Sequence, residues 1–204
     1  RPVCIACQQK PFEKKKIIPR KTLKTKKNKE KRNGRPRKTK SRPPRGKTEA
    51  LKVFVKTLPC LNHRIAFRDV TNSVDRRTII ASVIPQNVFL TNKAPFLLFS
   101  KSQEREKAYV LAILNSKILD WYARRFVDKN LNFFIFNSLP IPGFNIKDKK
   151  IKRLIELTTK LSSQNKSMIG WANLFGEKIK KLSEDEVFNF QSEIDAISFI
   201  IYGI

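Results

Sequence analysis

One histidine, one methionine, three cysteines and six glycines are spread over 204 residues. That scarcity excludes a good deal. No Gly-rich loop of the cofactor-binding kind is present, and there is no P-loop. Asn-Pro-Pro-Tyr and Asp-Pro-Pro-Tyr are absent too. The single histidine is His63, and the acids are too scattered to build a nuclease-type metal site. An odd number of cysteines, two of them three positions apart, is no disulfide framework and fits a reducing cytoplasm. No apolar run approaches the ~18 residues that a membrane-spanning helix needs, and no secretory leader is visible. With Arg1 in place of a methionine, the chain is expected to begin inside a longer one. No complete catalytic constellation emerges.

What the chain has in excess is positive charge. Forty-four Lys and Arg against 17 Asp and Glu give a net charge of +27. Residues 1–52 hold 21 of those cations and only Glu13, Glu30 and Glu49, so this arm alone carries +18. A basic stretch poor in aromatics cannot bury enough apolar area to offset chain entropy, so most of 8–50 is expected to be disordered. The charge calls for a polyanionic partner. Double-stranded DNA fits better than a membrane, because the arm has no apolar face to lay on a bilayer. A solvated tail without a dedicated partner is the alternative.

Inside the arm, Gly34-Arg35-Pro36-Arg37 is AT-hook-like. Proline fixes φ and disfavours helix before it, leaving a flat, extended segment. Its guanidinium groups, on Arg35 and Arg37, suit the narrow and strongly negative minor groove of A·T-rich DNA. Generic phosphate attraction, falling steeply with salt, is the competing explanation. Cys4-x-x-Cys7 and Cys60-x-x-His63 form a possible four-ligand structural zinc set, each pair having a gap that lets both side chains close on one tetrahedral ion. The alternative is unrelated thiols and a lone imidazole.

Residues 53–204 are long enough for a real core. They are expected to form an α+β domain: a small mixed β-sheet over 53–145 and a C-terminal helical subdomain over 146–204. Strands are expected at Ala50–Leu58, Arg64–Val70, Thr78–Ile84, Val88–Leu90, Pro95–Ser100 and Leu131–Phe136, the last stopped by Leu139-Pro140-Ile141-Pro142. Apolar spacing of three to four predicts a helix over Glu104–Phe126, broken near Asn115-Ser116. A second amphipathic helix is expected at Ile151–Ser162, and a less regular one within Ser167–Lys181. Ser183 followed by three acids reads as a helix start, with Gly203 as its stop.

The Arg68–Arg77 turn concentrates Arg68, Asp69, Thr71, Asn72, Asp75, Arg76 and Arg77. Arginine binds guanine edges or phosphates in a bidentate manner, and asparagine pairs with adenine. An internal network is the other outcome, and for Arg68 and Asp69 it is the favoured one. The aromatics after Asn130 and Asn132 offer stacking surfaces or, more simply, core.

Four segments, RIAFRDVTNSVDRRTIIASVIP, LAILNSKILD, NLNFFIFNSLPIP and SEIDAISFIIYGI, keep an order and spacing over roughly 140 residues. In this respect the chain from about Asn62 onward resembles the C-terminal region of large adenine-specific DNA methyltransferases. These are the type IIG restriction–modification enzymes and their relatives in phage defence. The resemblance implies target recognition beside a methylase core that uses S-adenosylmethionine and flips its base out of the duplex. It implies DNA-facing or structural roles for Arg64, Arg68, Asn72, Arg76, Arg77, Thr78, Asn130 and Asn132. No catalytic residue and no S-adenosylmethionine site carries over, so the chain is expected to be a fragment or a subunit. A scaffold that docks a methylase partner is the alternative from a different class.

Overall fold

The structure, a computed structural model, describes residues 58–100 and 103–204. Cys4, Cys7, the Gly34-Arg35-Pro36-Arg37 segment, the expected disorder of 8–50 and nearly all of the expected Ala50–Leu58 strand lie outside them.

The described part is α+β. Arg64–Phe67 (β1) is buried along its whole length and forms the centre of a three-stranded sheet. Ala81–Ile84 (β2) and Phe96–Leu97 (β3) flank it in the order β2-β1-β3. Both pairings are antiparallel, with Ile65 opposite Val83 on one side and Leu97 on the other. The sheet is thus not mixed as expected, and no neighbouring strands are joined by the helical crossover that a parallel pair requires.

Three of the expected strands are shorter: Pro95–Ser100 keeps only Phe96–Leu97, and the other two shorten for identifiable reasons. β2 begins at Ala81 rather than Thr78, because the N–H groups of Thr78 and Ile79 go to a carboxylate and not to a ladder. Past β1, Val70 keeps only an isolated bridge to Asn130. Val88–Leu90 is not a strand at all; the Val88 carbonyl accepts from the Arg64 guanidinium instead.

The helix expected over Glu104–Phe126 is two helices, Glu104–Leu114 (α1) and Lys117–Ala123 (α2), with the break at Asn115-Ser116. The cause is visible in Asn115. Its amide donates to Ala81 O at 3.0 Å and to Leu111 O at 3.2 Å, while its oxygen accepts from Ala81 N at 3.3 Å. The side chain therefore satisfies the outer edge of β2 as a strand residue would. At the start of α2, Asp195 accepts from Lys117 N at 2.8 Å, so a carboxylate from the last helix caps this one.

Leu131–Phe136, expected as an aromatic strand, instead contains a short helix, Phe133–Asn137 (α3). The Asn132 oxygen accepts from Ile135 N at 3.0 Å, an N-cap that overrides the strand preference of the aromatics. Phe134 and Phe136, which the alternation of a strand would put on one face, part company. Phe136 is buried and stacked on Phe67 at 4.4 Å, whereas Phe134 is 86% exposed.

The C-terminal helices follow the sequence closely. Lys149–Ser162 (α4) starts on Asp148, whose carboxylate accepts from Lys150 N at 2.8 Å. Ile169–Phe175 (α5) ends at Gly176, which takes the positive φ of 72° that favours glycine. Glu184–Tyr202 (α6) opens with a complete capping box, Ser183 with Glu186, and closes at Gly203. The Pro-x-Pro segment is pinned from both sides: Tyr109 donates its hydroxyl to Pro142 O at 3.0 Å and Tyr202 donates to Pro140 O at 2.7 Å. Burial pushes the Tyr109 hydroxyl up to about 12 and that of Tyr202 upward as well.

One apolar cluster joins Ile65 and Phe67 of the sheet to α1, and through Leu154, Leu157, Trp171 and Ile194 to the C-terminal helices. Among the described residues, no helix is long and apolar enough to cross a membrane.

Candidate nucleic-acid interface

The polar turn after β1 is held from beneath by one buried carboxylate. Asp120 on α2 is 4% exposed. Its Oδ1 accepts from Thr78 N at 2.8 Å and from Ile79 N at 2.7 Å, and its Oδ2 accepts from Arg124 Nε at 3.0 Å. Arg124, one helical turn on, spends its remaining donors on the turn itself. Nη1 donates to Ser73 O, and Nη2 to Asp75 O and Arg76 O, each at 2.8 Å. The pair therefore ties five backbone groups of 73–79 to one helix.

Other bonds close the turn on itself. Thr71 donates its hydroxyl to Thr78 O at 2.7 Å, and the buried Thr78 returns one to Asn72 O at 3.2 Å. The Asn72 oxygen accepts from Val74 N at 3.2 Å, a local turn of the Asx kind. Arg68 pairs with Asp75 at 2.5 Å and donates to Thr71 Oγ1 at 3.1 Å. On the far flank, Thr71 N donates to Lys129 O at 3.0 Å and Leu131 N to Asp69 O at 2.7 Å.

The candidate residues separate accordingly. Arg64 is buried, donates to Val88 O, and lies over the Phe96 ring at 4.7 Å; it holds the sheet edge. Arg68 and Asp69 brace the turn, Asp69 taking Asn130 Nδ2 at 3.2 Å. Asn132 caps α3. Thr78 is fully buried, and Arg77 turns inward to donate to Asn115 O at 2.5 Å.

Two of the candidate residues stand exposed on this fixed base with donors unengaged, on either side of the exposed Val74. Arg76 is exposed, and among the described residues its guanidinium has no partner. Asn72 is exposed, with its amide nitrogen unengaged among the described residues. Arg125, stacked on Trp121 at 4.1 Å, and exposed Lys129 flank them on the segments that grip the turn.

Sequence reasoning missed Asp120, Arg124 and Asn115, which do most of the holding. A signal existed for the first two, a carboxylate and a guanidinium four apart on a helix, but that spacing is usually a surface pair.

The expected metal set is only partly in view. Cys60 and His63 are both buried. His63 packs against Trp171 at 5.7 Å and so close to Gly170 that a Cβ there would sit 3.1 Å from its ring. Burial holds the imidazole below its ordinary pKa. Among the described residues, no group of three or more potential ligands gathers. No family model, curated protein or solved structure matches the chain.

Proposed function

We propose that the domain binds double-stranded DNA and reads a target sequence, as the recognition part of an adenine-specific methyltransferase or restriction system. The observation that carries this reading is the turn: Arg76 and Asn72 exposed on a backbone fixed by Asp120 and Arg124. Specific readout needs donors held in place before the duplex arrives, since ordering a mobile loop costs free energy on binding. Arginine and asparagine are the side chains that recognise guanine and adenine edges in the major groove. The +18 carried by residues 1–52 supplies sequence-independent attraction to phosphates, with Arg35 and Arg37 suited to a minor groove. Methyl transfer from S-adenosylmethionine belongs, in this reading, to a methylase core outside this chain, working where the DNA is, in the cytoplasm. A structural zinc on Cys4, Cys7, Cys60 and His63 would tie the arm to the domain.

Selection from randomised duplexes tests the reading, using the full chain with heparin as competitor. The chain enriches a defined motif, and Arg76→Ala blurs one position of it. Absence of any enrichment over heparin refutes target reading. A second reading, a docking scaffold, draws on the exposed Phe188 and Ile200 of α6 and Ile204 just past its end. It predicts tight association with a methylase core and no motif.

A further inference from the structure

The turn that Asp120 and Arg124 hold is polar at every position but one. Between Thr71 and Thr78 the single apolar residue is Val74, and it is 83% exposed. Among the described residues, Phe134 alone of the large apolar side chains is more exposed. Lone apolar residues on a surface are common and call for no explanation in themselves. Val74 differs in how firmly its backbone is held. Its own N–H donates to the Asn72 side-chain oxygen at 3.2 Å. The carbonyls on either side, of Ser73 and Asp75, accept from Arg124 at 2.8 Å each. Asp75 N donates to Asn72 O at 3.2 Å and closes the turn around it.

Valine adds stiffness of its own. Branching at Cβ restricts χ1, so little side-chain freedom is left to lose on contact. The turn therefore presents hydrocarbon in a fixed place, flanked in sequence by the exposed Asn72 and Arg76. Base edges in the major groove offer donors, acceptors and one apolar group, the C5-methyl of a pyrimidine. The minor groove offers no methyl. Thymine and 5-methylcytosine both carry that group. Asn72, two residues before Val74, suits adenine, the partner of thymine, rather than guanine. Thymine is the better match.

We propose that Val74 reads the C5-methyl of a thymine at one position of the target. The inference rests on the DNA-reading role of the turn, and it adds an apolar contact to the polar ones of Asn72 and Arg76.

The test uses the full chain and the duplex enriched from the randomised pool, with affinities from fluorescence anisotropy. Each thymine of the motif is replaced in turn by deoxyuridine, which removes only the methyl and keeps the base pair. At one position the wild-type chain binds about four-fold more weakly, equivalent to the ~0.8 kcal/mol of one hydrocarbon group removed from water. Val74→Ala melts as wild type does and binds the thymine and deoxyuridine duplexes alike at that position. 5-Methylcytosine paired with guanine there binds wild type more weakly than thymine does. The assignment is overturned, with DNA reading left standing, by a motif without thymine or by no deoxyuridine penalty in wild type. A penalty undiminished in Val74→Ala overturns it too, as does binding to 5-methylcytosine as tight as to thymine or tighter. Where no motif is enriched at all, DNA reading itself has failed, and the methyl contact with it.

Discussion

Two arginine–carboxylate pairs in this molecule have the same chemistry and opposite consequences. Asp120 with Arg124 lies under the polar turn, its side chains 6% and 31% exposed. Arg153 with Glu193 joins α4 to α6 at 2.6 Å, its side chains 41% and 39% exposed. Among the described residues, the first pair is the only hydrogen-bond partner of several backbone groups; the second decorates helices already held by Leu154, Leu157 and Trp171. A buried charge is worth what depends on it, whereas an exposed one is discounted by solvent.

The contrast is sharpest in substitutions. Asp120→Ala leaves the N–H groups of Thr78 and Ile79 and the Nε of Arg124 without their acceptor. It should cost ~3–5 kcal/mol, read as a lower urea midpoint. A loss below ~1 kcal/mol would mean that the turn is held some other way. In the helical layer, Leu157→Ala empties a fully buried site and should cost ~3 kcal/mol, with the turn's amide shifts unmoved. The cap of α6 is smaller: Ser183→Ala removes one side of the capping box and should cost ~1 kcal/mol.

Arg153→Ala should cost under ~1 kcal/mol and less in high salt. Its pH behaviour follows from the carboxylates. The hydrogen bond from Lys160, then that from Arg153, holds Glu156 below its ordinary value of 4.5, and Arg153 does the same to Glu193. Depressed carboxylates stabilise the fold above their unfolded pKa and lose that contribution as pH falls through the folded one. Denaturation midpoints of wild type and Arg153→Ala should therefore converge as pH drops below about 4.5. Convergence on raising the pH would contradict the assignment.

The sequence was most legible where local signals and tertiary packing agreed. Ser183 and Gly203 bound the last helix, the break at Asn115-Ser116 fell where expected, and β1 lies within Arg64–Val70. It misled where one side chain outvoted a run of residues. Asn132 turned Phe133–Asn137 into a helix against the strand preference of its aromatics. Asp120 took two N–H groups that would otherwise have lengthened β2. The second choice depends on a partner about forty residues away, which periodicity cannot register; the first is a local cap that outweighs the run it precedes. At the candidate interface, the turn itself was legible, but not which of its residues face outward. Arg76 and Arg77 are adjacent and chemically equal in sequence; only the Asn115 carbonyl draws Arg77 inward.

That distinction permits a direct test of the central claim. The affinity of the full chain for its selected duplex should be measured by fluorescence anisotropy across a salt series, for wild type, Arg76→Ala and Asn72→Ala. The account predicts that Arg76→Ala weakens binding about ten-fold, equivalent to about 1.4 kcal/mol. Asn72→Ala should relax preference at one base pair, with both variants melting as wild type does. Unchanged affinity and unchanged preference in both would contradict a rigid turn that reads DNA.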